Sequence, residues 1–196
     1  MTVMIKRVCV YCASSSKVAE EYKRQAYNLG RIFADEGVEV NFGSGSVGLM
    51  GELARGVLSR NGRLTGIIPQ FMVDEGWGND AVPCQIVTKD MHERKQKMVD
   101  GVDAAVALPG GCGTMEELLE VITWKQLGLF KKPVVIVNVN EFYNPFLRMM
   151  DHIVSENFMR KEHKKIWTVV SDASEVLGAI MKSDDWADDA RKYAAM

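Results

Sequence analysis

The chain has 196 residues, 47% of them hydrophobic and 26% charged, with a net charge of −2 at pH 7. That composition suits a globular protein with a full buried core, most simply one large domain. The charge balance gives no electrostatic case for nucleic acid or an anionic membrane surface. No apolar run approaches the ~20 residues of a membrane span, and Met1 to Lys6 lacks a signal-peptide core, so a cytoplasmic protein is expected.

In chain order, Val8-Cys9-Val10-Tyr11-Cys12 reads as a first strand that runs into the hydroxyl-rich loop Ala13-Ser14-Ser15-Ser16. Tyr22, Ala26, Leu29 and Phe33 recur at helical spacing, and Gly37 closes that helix. Val38 to Phe42 reads as a second strand. The glycine-rich loop Gly43-Ser44-Gly45-Ser46-Val47-Gly48-Leu49-Met50-Gly51 follows, then a helix carrying Leu53, Ala54, Val57 and Leu58 that ends at Asn61-Gly62. Leu64 to Ile68 is a third strand. Pro69 to Pro83 is the least regular stretch, and a loop of that length in a compact domain is usually functional or mobile. Gln85-Ile86-Val87 reads as a short strand, and Asp90 caps a helix to about Gly101. Ala104 to Leu108 is a buried strand that leads through Pro109-Gly110-Gly111-Cys112-Gly113 into an amphipathic helix, Thr114 to Leu127. A strand at Val134 to Val137, a helix near Pro145 to Glu156, a strand at Ile166 to Val170 and a helix at Ala173 to Lys182 complete the pattern.

Short apolar strands alternating with helices imply an α/β fold: a doubly wound, mostly parallel sheet in a Rossmann-like domain over 1–183. Residues 184–196, opening Asp184-Asp185-Trp186, read as a polar tail or a loosely docked helix. In such sheets ligands sit beyond the carboxyl ends of the strands. The loops at Ser14–Ser16, Gly43–Gly51 and Pro109–Thr114 all follow strands and should gather there.

The chemistry concentrates at Pro109 to Glu117. Three glycines between a strand and a helix expose backbone amides, and the first helical turn adds free N–H groups and the positive end of the dipole. Such a turn is a ready phosphate site, although it also serves as a plain connection with Thr114 as N-cap. Gly43-x-Gly45-x-x-Gly48 matches the dinucleotide fingerprint, but it follows the second strand and Arg63 to Ile68 supplies no carboxylate for a ribose, so NAD is not supported. A smaller phosphorylated ligand fits two incomplete glycine loops better. Cys9 and Cys12 form a C-x-x-C without a second pair, and His92, His152 and His163 have no metal spacing, so no metal or cofactor is expected.

Three charged residues carry alternative readings. Asp90 with Glu93 makes a capping box, and Arg94 and Lys95 could face solvent. Yet both flank the apolar stripe Met91, Met98, Val102, where a cation needs an anionic partner. Glu117 completes a capping box with Thr114, or else it stands one turn along from a bound phosphate and faces the sugar. The helix that holds it, with Met115, Leu118, Leu119, Val121, Ile122, Trp124 and Leu127, is apolar on most of its circumference and invites a second cover, hence a homodimer.

Pro109-Gly110-Gly111-Cys112-Gly113-Thr114-Met115-Glu116-Glu117 resembles the P-G-G-x-G-T-x-x-E signature of the LOG ("lonely guy") family. Those proteins are cytokinin riboside 5′-monophosphate phosphoribohydrolases, long labelled lysine decarboxylases. Cys12-Ala13-Ser14-Ser15, Ser46-Val47-Gly48-Leu49-Met50-Gly51, Asp90-Met91-His92-x-Arg94-Lys95 and Glu120-Val121-Ile122-Thr123-Trp124 extend the resemblance to about Lys182. It implies a Rossmann-like homodimer that hydrolyses the N-glycosidic bond of adenine-type nucleoside 5′-monophosphates, with no metal or redox cofactor. By the same resemblance Arg94 and Glu117 are the catalytic pair. Gly110, Gly111, Gly113 and Thr114 hold the phosphate with Ser14, and Gly45 and Gly48 belong to the binding loops. Lys95 is a neighbouring contact, Thr123 lies near the base, and Glu75 matches a substrate-contacting acid. Ser44 departs from the family's three glycines. A molybdenum-cofactor carrier or other non-catalytic nucleotide carrier on the same fold is the alternative, against which the retained Arg94 and Glu117 argue. An NAD-linked oxidoreductase is the other.

Overall fold

The structure, a computed structural model, describes residues 5–183; the expected tail at 184–196 lies outside them. Its strands are β1 (Arg7–Tyr11), β2 (Glu39–Phe42), β3 (Leu64–Pro69), β4 (Cys84–Thr88), β5 (Ala104–Ala107), β6 (Val134–Val137) and β7 (Trp167–Val170). Its α-helices are α1 (Glu20–Asp35), α2 (Gly48–Leu58), α3 (Gln70–Asp74), α4 (Met91–Val99), α5 (Cys112–Gln126), α6 (Asn144–Ser155) and α7 (Val176–Lys182).

All seven strands are parallel and lie in the order β4-β3-β2-β1-β5-β6-β7. The chain builds outward from β1 to β4, returns through α4, and continues on the other side of β1 from β5 to β7. The reversal therefore falls between β1 and β5, whose register pairs Val10 with Val106 and Tyr11 with Ala107. A crevice opens at such a reversal because the loops leaving the two strands diverge to opposite faces.

The strands β5 and β6 are short and wholly apolar, and β1 is apolar after Arg7, because both of their faces are covered. Val8 and Val10 pack with Leu29, Phe33, Leu53 and Val57 of α1 and α2 on one face. Cys9 and Tyr11 point the other way, into a second core with Met98 of α4 and Leu118 and Val121 of α5. The doubly wound parallel sheet expected from the sequence is thus present.

Three local features differ from the sequence pattern, each for an identifiable reason. The irregular Pro69–Pro83 stretch contains the short helix α3, one turn with no buried residue and hence no apolar periodicity to announce it. Helix α5 starts two residues early, with Gly111 as N-cap, so Thr114 lies inside the first turn instead of capping it. The last helix begins as a 3-10 turn, Ala173–Glu175, before α7. Gly37 closes α1 with φ +70°, as a C-terminal glycine should.

Candidate active site

Helix α5 begins at the carboxyl end of β5 and buries its apolar side against the second core. Its N-cap, Gly111, makes no side-chain hydrogen bond. The first-turn amides are therefore left for something else to satisfy. Thr114 tucks its side chain over Gly110, where an added Cβ would come within 2.1 Å of the Thr114 hydroxyl oxygen. The loop is tied to the first strand's exit by Ala13 N–H donating to the Pro109 carbonyl at 3.2 Å.

The second glycine loop joins the same edge. Gly48 has φ +63°, and a Cβ there would lie 2.5 Å from the Ser14 carbonyl carbon. Only a glycine combines that backbone with that approach. Met50 N–H donates to the Ala13 carbonyl at 3.1 Å, which locks the start of α2 onto the Ser14 loop. All three loops that follow β1, β2 and β5 thus meet, and they wall a cavity of about 700 Å³.

Arg94 and Glu117 face each other across this cavity's floor. Arg94 Nη1 donates to Glu117 Oε1 at 3.1 Å, and Arg94 Nε donates to the Ile67 carbonyl at 3.1 Å. A Cβ at Gly43 would lie 2.3 Å from Arg94 Nη2, so the absence of a side chain there admits the guanidinium. Both residues are buried, Arg94 at 7% and Glu117 at 8% exposure, yet both line the cavity. Burial raises the Glu117 carboxyl to about 7; Arg94, the largest opposing influence, pulls it back, with Glu116 and Glu120 raising and Lys95 lowering it further. A carboxyl poised near neutrality beside a fixed cation can accept a proton or stabilise developing positive charge.

The capping readings resolve differently at the two helices. Asp90 does cap α4, accepting from Glu93 N–H at 2.8 Å, but Glu93 reaches Lys89 N–H, one residue further back than the box predicts. Glu117 does not fold back onto its helix start, because its partner is Arg94.

Of the residues expected at the site, Ser14, Gly45, Arg94, Gly111, Gly113, Thr114 and Glu117 line the cavity. Gly48 and Gly110 shape its walls from behind. Lys95 does not line it: its ammonium is held by Glu116 at 2.5 Å and Glu120 at 3.0 Å. Thr123 lies about three turns along α5, exposed, donating to the Leu119 carbonyl at 2.8 Å. Glu75 is exposed at the end of α3, while its neighbours Gly76 and Trp77 line the cavity. Gly43, Met50, Met91 and Met98 stand in stretches singled out from the sequence, but their places at the cavity, the Met72 and Trp77 wall beside them and the Ile67 carbonyl are not announced there. A backbone acceptor has no sequence signature, and Met72 and Trp77 sit in the stretch without periodicity.

Comparison with known proteins places the chain in a family. A family model described as "possible lysine decarboxylase" matches residues 50–180. Cytokinin riboside 5′-monophosphate phosphoribohydrolase LOG of Oryza sativa subsp. japonica is 40% identical over 172 residues, covering 88% of this chain and 71% of that protein. LOG1 of Arabidopsis thaliana, of the same description, is 37% identical over 190 residues, covering 97% of this chain and 88% of its own. Among solved structures, the molybdenum cofactor carrier protein of Chlamydomonas reinhardtii superposes with a TM-score of 0.66 at 21% identity, covering 90% of this chain and 96% of that one. The molybdenum cofactor binding protein of Rippkaea orientalis gives 0.68 at 21% identity over 90% and 95% of the two chains. These last two share the fold, whereas the relatives of higher identity align over most of this chain at 37–40% identity. The chain therefore belongs to the LOG family, that of the cytokinin riboside 5′-monophosphate phosphoribohydrolases.

Proposed function

We propose that this protein hydrolyses the N-glycosidic bond of adenine-type nucleoside 5′-monophosphates, releasing free base and ribose 5-phosphate. The observation that carries the reading is the buried Arg94–Glu117 pair set into a cavity rimmed by the uncapped, glycine-rich start of α5. The amides of Gly111, Gly113 and Thr114, with Ser14 and Gly45 opposite, receive the phosphate; Gly48 and Gly110 hold those loops in shape. Phosphate binding then fixes the sugar against Glu117, converting binding energy into orientation.

Breaking the C1′–N bond builds positive charge on the sugar. The Glu117 carboxylate stabilises that charge and takes a proton from the attacking water, while Arg94 keeps it ionised and aimed. In sum, the water oxygen bonds to C1′ and a proton reaches the departing base nitrogen. No step calls for a metal or a redox cofactor. The methionine-rich wall with Trp77 is suited to the base and to an apolar N6 substituent, which favours cytokinin nucleotides over plain AMP.

Two further readings belong to the same proposal. The protein acts in the cytoplasm, and it works as a homodimer through the outward side of α5, where Leu119 and Leu127 are exposed. Thr123 stands on that side and belongs to the contact between copies. The test of the activity is incubation with AMP and with N6-alkylated AMP, with and without a chelator. Ribose 5-phosphate should appear from both, faster from the alkylated nucleotide and unaffected by the chelator. Absence of base release from every purine monophosphate would overturn the proposal.

A further inference from the structure

Arg94 and Lys95 are consecutive on α4, and Glu116 and Glu117 are consecutive on α5, with Glu120 one turn further. The two helices are thus joined by two parallel ion pairs. The inner one, Arg94–Glu117, faces the cavity. The outer one holds Lys95 Nζ between Glu116 at 2.5 Å and Glu120 at 3.0 Å. Lys95 is 8% exposed and points away from the cavity, so it has no direct route to a bound nucleotide. A cation buried to that extent needs its carboxylates, and they in turn fix where its helix can sit.

We infer that Lys95, Glu116 and Glu120 form a positioning cluster that sets both the register of α4 against α5 and the charge balance felt by Glu117. The register matters because Arg94 shares its turn of helix with Lys95: moving one moves the other relative to Glu117. The charge balance matters because Glu116 and Glu120 oppose ionisation of Glu117 while Lys95 and Arg94 favour it. Cys9 and Tyr11 of β1, and Cys12 just beyond it, also lie within electrostatic reach of Glu117, and burial keeps all three protonated at neutral pH. The net field on Glu117 is therefore set by the two cations and two carboxylates. Lys95 is a positioning residue here, not a substrate contact. The inference deepens the proposed activity and rests on it only for its kinetic readout.

The test compares Lys95→Met, Lys95→Arg and the double variant Glu116→Gln/Glu120→Gln. The Glu117 carboxyl is titrated by ¹³C NMR, assigned by its loss in Glu117→Gln, and the pH profile of kcat is measured with AMP. In Lys95→Met the two carboxylates are left uncompensated, and the Glu117 midpoint should rise by about one pH unit. In the double variant it should fall by a similar amount, and Lys95→Arg should restore the original value. At pH 7 kcat of Lys95→Met should drop about five-fold from the lost ionised fraction alone, with KM little changed. Midpoints that stay put, or that move the same way in both variants, would overturn the inference. So would a raised KM with an unmoved midpoint, the mark of a direct substrate contact. If Lys95→Met does not fold, the downward shift in the double variant decides the matter. If the wild type releases no base, the NMR titration still does.

Discussion

Burial drives Glu117 toward its neutral form and Arg94 drives it back, so its charge at neutral pH is the small difference of two opposed effects. In the proposed reaction the pair, not either residue, is then the unit of function. Glu117→Gln keeps the shape and removes the charge that an oxocarbenium-like sugar needs, and kcat should fall by roughly 10²-fold or more. Arg94→Ala should cost about as much, and the double variant little more, because members of one unit are not additive. Single-turnover measurements on the three variants check this; independent, multiplying losses would separate the two roles. The same carboxyl links activity and stability with opposite signs. Its folded value, about 7, lies above the ordinary 4.5, so the native state holds the proton more tightly than the unfolded chain. Its contribution to stability is complete below about pH 4.5 and is lost as pH rises through 7. Activity should therefore rise through about pH 7 while wild-type stability declines. The melting temperature of Glu117→Gln relative to wild type should increase between pH 5 and pH 8.

Helix ends and loop turns decide how these residues are delivered, and Ser44 is where the delivery is strained. It has φ +60°, in the left-handed region that favours glycine, and it is fully buried. Its hydroxyl has no hydrogen-bonding partner among the described residues and sits where a side chain on Gly66 would be. The backbone at 44 thus keeps the shape that glycine would adopt there, and the serine bears the cost. Ser44→Gly should stabilise the protein by about 1 kcal/mol, the relief of strain exceeding the cost of the extra conformational entropy that glycine gives the unfolded chain. Ser44→Ala keeps the strained φ and should gain less; equal gains in thermal unfolding would assign the effect to the hydroxyl alone. Gly48→Ala, by contrast, should weaken substrate binding by pushing the Ser14 loop aside. Legibility from sequence follows the same division. Strands β1, β5 and β6 could be read because burial on both faces leaves a continuous apolar run, and the apolar sides of α1 and α4 because burial on one face leaves a helical stripe. The start of α5 could not, because its N-cap is a glycine with no side chain to mark it. Arg94 and Lys95 both looked like cations in need of partners, and the pattern could not tell which one faced the ligand. That choice depends on the crossing of α4 and α5, which is a tertiary fact.

At the scale of the whole molecule, the reversal between β1 and β5 explains why one serine loop and two glycine loops, separated in the chain, form one site, but it does not by itself select a chemistry. The carrier proteins with TM-scores of 0.66 and 0.68 show the same frame at 21% identity, and function has to be argued from the side chains set in it. The frame does carry one further expectation. Helix α5 buries Leu118, Val121 and Ile122 against the sheet, yet leaves Leu119 at 42% and Leu127 at 41% exposure on its outer side, with Leu129 beyond its end at 65%. A helix covering one face of a sheet needs only one apolar stripe, so a second stripe is surplus in a monomer. A second copy docking by the same stripe would cover both at once, as a two-fold contact requires. Such a contact would also press α5 from outside along the helix that holds Glu117, Glu116 and Glu120. Light scattering at micromolar concentration should give twice the chain's 21.9 kDa. The double substitution Leu119→Glu/Leu127→Glu, at positions outside the monomer's core, should give a folded single chain with unchanged secondary structure. A wild-type mass of one chain would refute the dimer, and an unchanged dimer in the double variant would refute α5 as its contact.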